Sequence, residues 1–274
     1  MRFGLMVSAL TVWMTAGAAA EDTALKTLHT GTVADAWEAV GRLDIGRAGF
    51  CTGALVAPDL VLTAAHCLFD KETGDRVNPQ GIEFLAGWRN GRASAYRNVR
   101  RVVVHPEYAF DASESWARVR TDIALLELAR PIRNTRIAPF ATAEQPVKGD
   151  RVGVVSYARN RADAPSLQEV CNVLGLQEGV LVTSCKIDFG SSGAPIFSFD
   201  DTGAVRIVSV ISAMAEVSGQ GVSLGTELGV GLDDLREELA QGGGFEGTVP
   251  PDVPRIAVDG KRNSTGAKFV RPKE

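Results

Sequence analysis

Short apolar runs broken by glycine and proline predict an all-β protein. The 274 residues include 29 glycines and 12 prolines, a turn-rich balance that suits strands better than helices. The runs between them are rich in Val and Ile and too short for helices, as in sandwiches or barrels. One stretch alone, 232–240, has the spacing of an amphipathic helix.

In chain order, residues 21–35 are polar and unpatterned and read as a flexible or pro-like lead. Strands are expected at 37–45, 50–56, 60–63, 82–86, 99–104 and 123–128, which together make a first unit over 36–130. The segment 131–139, with Pro131 and Pro139 at its ends, is the crossing to a second unit over 131–240. There, strands are expected at 151–157, 167–174, 179–185, 194–199, 204–212 and 222–227. Leu232, Leu235 and Leu239 then share one helix face, while Asp233, Asp234, Arg236, Glu237 and Glu238 cover the rest. From Gln241 the chain turns Gly-rich, then Pro- and Lys-rich, so 241–274 reads as a disordered tail. Asn263-Ser264-Thr265 within it matches a glycosylation sequon, a short pattern that often arises by chance.

The N-terminus sets the compartment. Arg2 precedes an uncharged, mostly apolar stretch that ends in Ala18-Ala19-Ala20, before Glu21 and Asp22. Small residues before the cut suit signal-peptidase cleavage after Ala20, so 1–20 reads as a signal peptide rather than a membrane anchor. A secreted or periplasmic product without stable membrane insertion is expected. Lys and Arg total 29 against 33 acidic residues, a net charge of −4, so no basic excess exists to neutralise phosphates. Nucleic acid is therefore not expected as a partner. Three histidines, His29, His66 and His105, make a multi-histidine metal site improbable. Export permits disulfides. The four cysteines allow three pairings, of which Cys51–Cys67 with Cys171–Cys185 is the local one. A four-cysteine zinc site would need close CxxC pairs, and none is present.

Three motifs carry chemistry. Leu62-Thr63-Ala64-Ala65-His66-Cys67, preceded by Phe50-Cys51-Thr52-Gly53-Ala54-Leu55-Val56, resembles the histidine region of the chymotrypsin/trypsin-like serine peptidases, including the cysteine that bridges to the one after the histidine. Thr121-Asp122-Ile123-Ala124-Leu125-Leu126 is similar to the family's aspartate loop. An Asp entering an apolar strand is costly to bury unless a group such as an imidazole N–H meets its charge. Phe189-Gly190-Ser191-Ser192-Gly193-Ala194-Pro195 resembles the Gly-Asp-Ser-Gly-Gly-Pro nucleophile turn. The chain order His, Asp, Ser is also that of this family. The resemblance covers roughly residues 33 to 240 and implies two packed six-stranded antiparallel β-barrels with a C-terminal helix. It further implies His66, Asp122 and Ser192 as the catalytic residues of a serine endopeptidase acting on polypeptides. The N–H groups of Gly190 and Ser192 would form the oxyanion hole, with no cofactor and no metal, in a monomer.

Two departures refine that reading. Animal relatives place an Asp before the nucleophile, paired with an N-terminus that cleavage releases. Here Ser191 stands there, and no Ile/Val-Val-Gly-Gly start precedes Trp37. Both halves of the switch are missing here, and glutamyl-endopeptidase-like bacterial members also lack that Asp. For substrate binding, counting back from Ser192 puts Lys186 near the pocket base, with Ile187 beside it and Asp188 closer to the nucleophile. The opposite wall is 210–214, with Ser212 offering backbone hydrogen bonds to substrate. Glutamyl endopeptidases carry a histidine in that wall; Ile211 occupies the place here. The competing reading is a non-catalytic binding protein on the same fold, because fold alone does not fix function.

Overall fold

A computed structural model describes residues 21–29, 32–46, 49–110, 115–200 and 202–247. The proposed signal peptide at 1–20, the sequon and the stretch from 248 onward lie outside the described residues.

The chain opens with β1 (Lys26–Thr27) and a single helical turn, α1 (Thr32–Asp35). The first barrel follows: β2 (Val40–Asp44), β3 (Phe50–Ala57), β4 (Leu60–Thr63), β5 (Glu83–Ala86), β6 (Ala95–Val104), a short helix α2 (Trp116–Arg120), and β7 (Ala124–Leu128). Its hydrogen-bonded order is β6-β5-β2-β3-β4-β7, and pairing of β7 back onto β6 closes it. After β8 (Ala141–Thr142), the second barrel comprises β9 (Arg151–Ala158), β10 (Arg161–Gln177), β11 (Val180–Thr183), β12 (Pro195–Phe199), β13 (Val205–Val217) and β14 (Gln220–Glu227). Its order is β10-β11-β14-β13-β12-β9, and β9 pairs with β10 to close it. Both barrels are six-stranded and antiparallel, as expected. Closure removes the free edges that an open sheet would expose. The chain then forms α3 (Gly229–Ala240) and β15 (Phe245–Glu246).

The second barrel has its own interior, built on Val152, Val154, Val173, Leu181, Ile196 and Val208. The first barrel's core runs on into the junction between the two, where Val155, Tyr157 and Phe197 join it. At that junction Trp37 and Phe140 lie 4.9 Å and 4.8 Å from the Phe197 ring. Such aromatic contacts add stabilisation beyond the area they bury.

Several elements depart from expectation. The strand expected from Trp37 starts at Val40, because 36–39 form turns. β10 runs far beyond the expected 167–174, since two register shifts against β9 let it bend and serve both β9 and β11. The helix α3 follows the second barrel in sequence but packs on the first. Leu232, Leu235 and Leu239 join the core of Val102, Val103 and Leu126, and Arg101 donates to the Leu239 carbonyl at 3.3 Å. Finally, the ends are docked: β1 pairs with β10, and β15 pairs with β6, so the chain stays structured to Gly247 rather than loosening at 241. Phe245 supplies the apolar contact there, packing partly buried on the core. No helix among the described residues is long and apolar enough to cross a membrane.

Candidate active site

The barrels meet where the three motifs converge. β4 ends at Thr63, and His66 sits in the one-turn helix that follows, Ala65–Leu68. The disulfide Cys51–Cys67 ties that turn to β3. Asp122 lies between α2 and β7 and is fully buried. Its Oδ1 accepts from the His66 backbone N–H at 2.8 Å, and its Oδ2 lies 2.6 Å from His66 Nδ1. A carboxylate only accepts, so Nδ1 carries a proton, and in the neutral imidazole Nε2 keeps the lone pair. Burial by itself would raise the Asp122 pKa. The His66 charge and the hydrogen bonds from His66 and Ser212 outweigh it, and the carboxyl is held below its ordinary value.

Ser212 supplies the third of those bonds, its hydroxyl donating to Asp122 Oδ2 at 2.5 Å. The register of β13 against β14 shifts between Ile211 and Ala213. A bulge re-aims a side chain locally, and here it falls at Ser212, the residue that reaches across the barrel junction. The sequence marked Ser212 for its backbone alone; a side-chain bond set by a strand irregularity leaves no motif.

Ser192 is clamped through its main chain by both barrels. Its carbonyl accepts from Thr52 N at 2.8 Å, and the neighbouring Gly193 N–H donates to Ile211 O at 2.8 Å. Gly193 has φ +77°, and a Cβ there would fall 2.0 Å from Thr63 Oγ1 and 2.3 Å from Thr52 O, so only glycine fits. Among the described residues no hydrogen bond joins the Ser192 hydroxyl to His66. A cleft of about 200 Å³ opens beside Ser192, lined among others by Phe50, Cys67, Phe189 and Gly190.

The backbone before the serine turns sharply at Gly190. The Phe189 carbonyl accepts from Arg159 N at 2.7 Å, and no peptide bond among the described residues is cis. In a trans peptide C=O and N–H point opposite ways, so the Gly190 N–H faces away from Arg159. Gly190 holds φ +100° to make this turn. Among the described residues neither Gly190 N–H nor Ser192 N–H has a backbone acceptor.

Lys186 is exposed, with its backbone N–H on Gln168 Oε1 at 2.7 Å, and no carboxylate among the described residues is within ion-pair distance of it. Asp188 is engaged inside the turn, accepting from Phe189 N at 2.7 Å and Asn160 Nδ2 at 3.3 Å. The second disulfide, Cys171–Cys185, links β10 to the segment before Lys186. Cys51, His66 and Cys67 bring ligand-type atoms within 4.8 Å of one another, but both sulfurs are spent in the disulfide and offer no thiolate.

The two closed barrels with the His–Asp pair at their junction define a chymotrypsin-like fold. The family described as a trypsin-like peptidase domain matches residues 51–206, more than half of the chain. The protein belongs to the trypsin-like peptidase family. It is similar to a trypsin of Simulium vittatum, 29% identical over 147 residues, covering 48% of this chain and 55% of that one. It is also similar to a glutamyl endopeptidase of Bacillus licheniformis, 24% identical over 173 residues, covering 63% of this chain and 52% of that one. The chain thus spans about half the length of these curated relatives. Among solved structures, a Glu endopeptidase in complex with MPD superposes with TM-score 0.65 at 16% identity, covering 82% of this chain and 100% of the other. That likeness is one of fold.

Proposed function

We propose that the protein is an exported serine endopeptidase that cleaves polypeptides through an acyl-enzyme, with His66, Asp122 and Ser192 as its catalytic residues. The observation that carries this reading is the buried carboxylate of Asp122 on His66 Nδ1 at 2.6 Å, which leaves Nε2 as the basic nitrogen. Ser192 Oγ attacks the scissile carbonyl carbon while Nε2 takes its proton. The carbonyl oxygen becomes an oxyanion held by the Gly190 and Ser192 N–H groups. The carbon–nitrogen bond then breaks as His66 returns the proton to the leaving amine. Water, deprotonated by the same Nε2, releases the acyl group. Asp122 stays ionised throughout and stabilises the imidazolium. The missing bond between Ser192 and His66 fits a substrate-free site, where such contacts tighten only on binding. Ser212 and Lys186 are the residues proposed to meet the substrate. The Lys186 ammonium, without an ion-pair partner among the described residues, suits acidic side chains, but Ile211 stands where glutamyl endopeptidases carry a histidine, which argues against a glutamyl-specific pocket.

Covalent labelling by a fluorophosphonate probe tests the reading. Wild type is expected to label, and Ser192→Ala to lose labelling and about 10⁶-fold in turnover. Ser191→Ala keeps labelling at a reduced rate, because the Ser191 side chain is buried beneath the turn. Wild type that never labels would point to a binding protein on this fold instead.

A further inference from the structure

The turn that presents Ser192 is braced from below by a cation. Arg161 opens β10 directly after the hairpin from β9, and its half-buried guanidinium donates to the Ser156 carbonyl at 2.5 Å, to Ser156 Oγ at 3.0 Å and to Ser191 Oγ at 3.3 Å. Ser191 is fully buried. Its hydroxyl also accepts from Asp188 N at 3.3 Å and can donate to Tyr157 O at 3.3 Å or Ser156 Oγ at 3.2 Å. One donor and two lone pairs are thereby used up. Both ends of the turn from Asp188 to Ser191 converge on this hydroxyl, and the Ser191 N–H closes it on the Asp188 carbonyl at 2.9 Å. Burial works against the Arg161 charge, and Asp188 supports it. No carboxylate of the described residues is in ion-pair distance, so this cation is kept for its hydrogen bonds to the loop rather than for a salt bridge.

We propose that Arg161 is a positioning residue for the oxyanion loop. It holds Ser191, and through it the turn that carries the Gly190 and Ser192 N–H groups. In relatives with a cleavage switch, a new ammonium does this work against an Asp at the position of Ser191. Here the cation is resident in the chain and its partner is a neutral hydroxyl. The role therefore needs no cut. The inference rests on the serine-peptidase reading above.

The test measures kcat and KM on a peptide ester for wild type, R161Q, R161K, S191D and the double variant S191D/R161Q, with S192A labelling as the control on the underlying reading. R161Q is expected to lower kcat about 10–100-fold, a fraction of what a whole oxyanion donor contributes, with KM within about threefold. R161K should recover part of that loss, because an ammonium keeps the charge but not the forked geometry. In the S191D background the buried carboxylate depends on the guanidinium, so R161Q should cost at least about tenfold more there than in wild type. If R161Q does not fold, R161K carries the same comparison. The proposal is overturned if the Arg161 variants keep kcat within about twofold, if KM rises as much as kcat falls, or if S191D is indifferent to Arg161. Labelling that survives S192A would sink the catalytic reading itself, independently of Arg161.

Discussion

Ser212 Oγ donates to Asp122 Oδ2 at 2.5 Å, joining the wall of the second barrel to the buried carboxylate beside the first. The bond crosses the junction between the barrels. It gives Asp122 a third donor besides the two from His66. A buried carboxylate with fewer donors holds its charge less firmly.

Ser212→Ala is therefore expected to raise the Asp122 pKa and lower kcat roughly tenfold, or about 1.4 kcal/mol of barrier. The NMR titration profile of the Asp122 carboxyl should move to higher pH. An unchanged profile would show that the two His66 donors suffice.

The same carboxylate sets an acid limit on stability. Its folded pKa lies below the ordinary value of 3.8, because His66 and the hydrogen bonds outweigh burial. A depressed folded pKa contributes stability that is complete above the unfolded value and is lost as pH falls through the folded one. Urea midpoints of wild type and Asp122→Asn should thus differ at pH 6, with wild type higher, and the gap should narrow as pH drops below about 3.8. A gap that stays constant down to pH 2 would contradict this account.

What the sequence revealed follows from what is local. The His66-Cys67 string with Cys51, and the Gly190 to Pro195 turn, carry their constraints within a few residues. The strands showed as Val- and Ile-rich runs because closed barrels bury most of each strand. α2 was missed because its five residues hold too little periodicity, and its cap is a single Ser115 hydroxyl on the Arg118 N–H. The apolar face of α3 was legible, but not which barrel it covers, since a face names no partner. Arg161 and Ser191 lie 30 residues apart and meet only because β9 and β10 pair and the nucleophile turn folds over them. The Ser212 side chain depends on a register shift that no residue type announces.

The N-terminal lead yields the last prediction. A polar, unpatterned stretch suggested a loose or pro-like segment, yet the residues from Asp22 onward are bound along β10. Thr23 N donates to Val170 O and Thr23 Oγ1 accepts from Val170 N, both at 2.9 Å. Asp22 Oδ1 accepts from Asn172 Nδ2 at 2.8 Å and from Ser184 Oγ at 2.7 Å, just before the Cys185–Lys186 step. Buried Gln168 links the two regions, donating to Thr23 O at 3.0 Å and accepting from Lys186 N at 2.7 Å. Leu28 is 3% exposed. A steric pro-segment would cover the cleft and be weakly held, whereas this one is hydrogen-bonded along β10 and contributes no residue to the lining of the cleft beside Ser192. Removing it strips the burial of Leu28, about 1.5–3 kcal/mol, and leaves Gln168 with a broken bond worth about 1 kcal/mol more. A chain produced from Asp35 should therefore unfold at lower urea than one produced from Glu21, and label with the fluorophosphonate no faster. Faster labelling by the shorter chain, at equal stability, would make the lead an inhibitory segment after all.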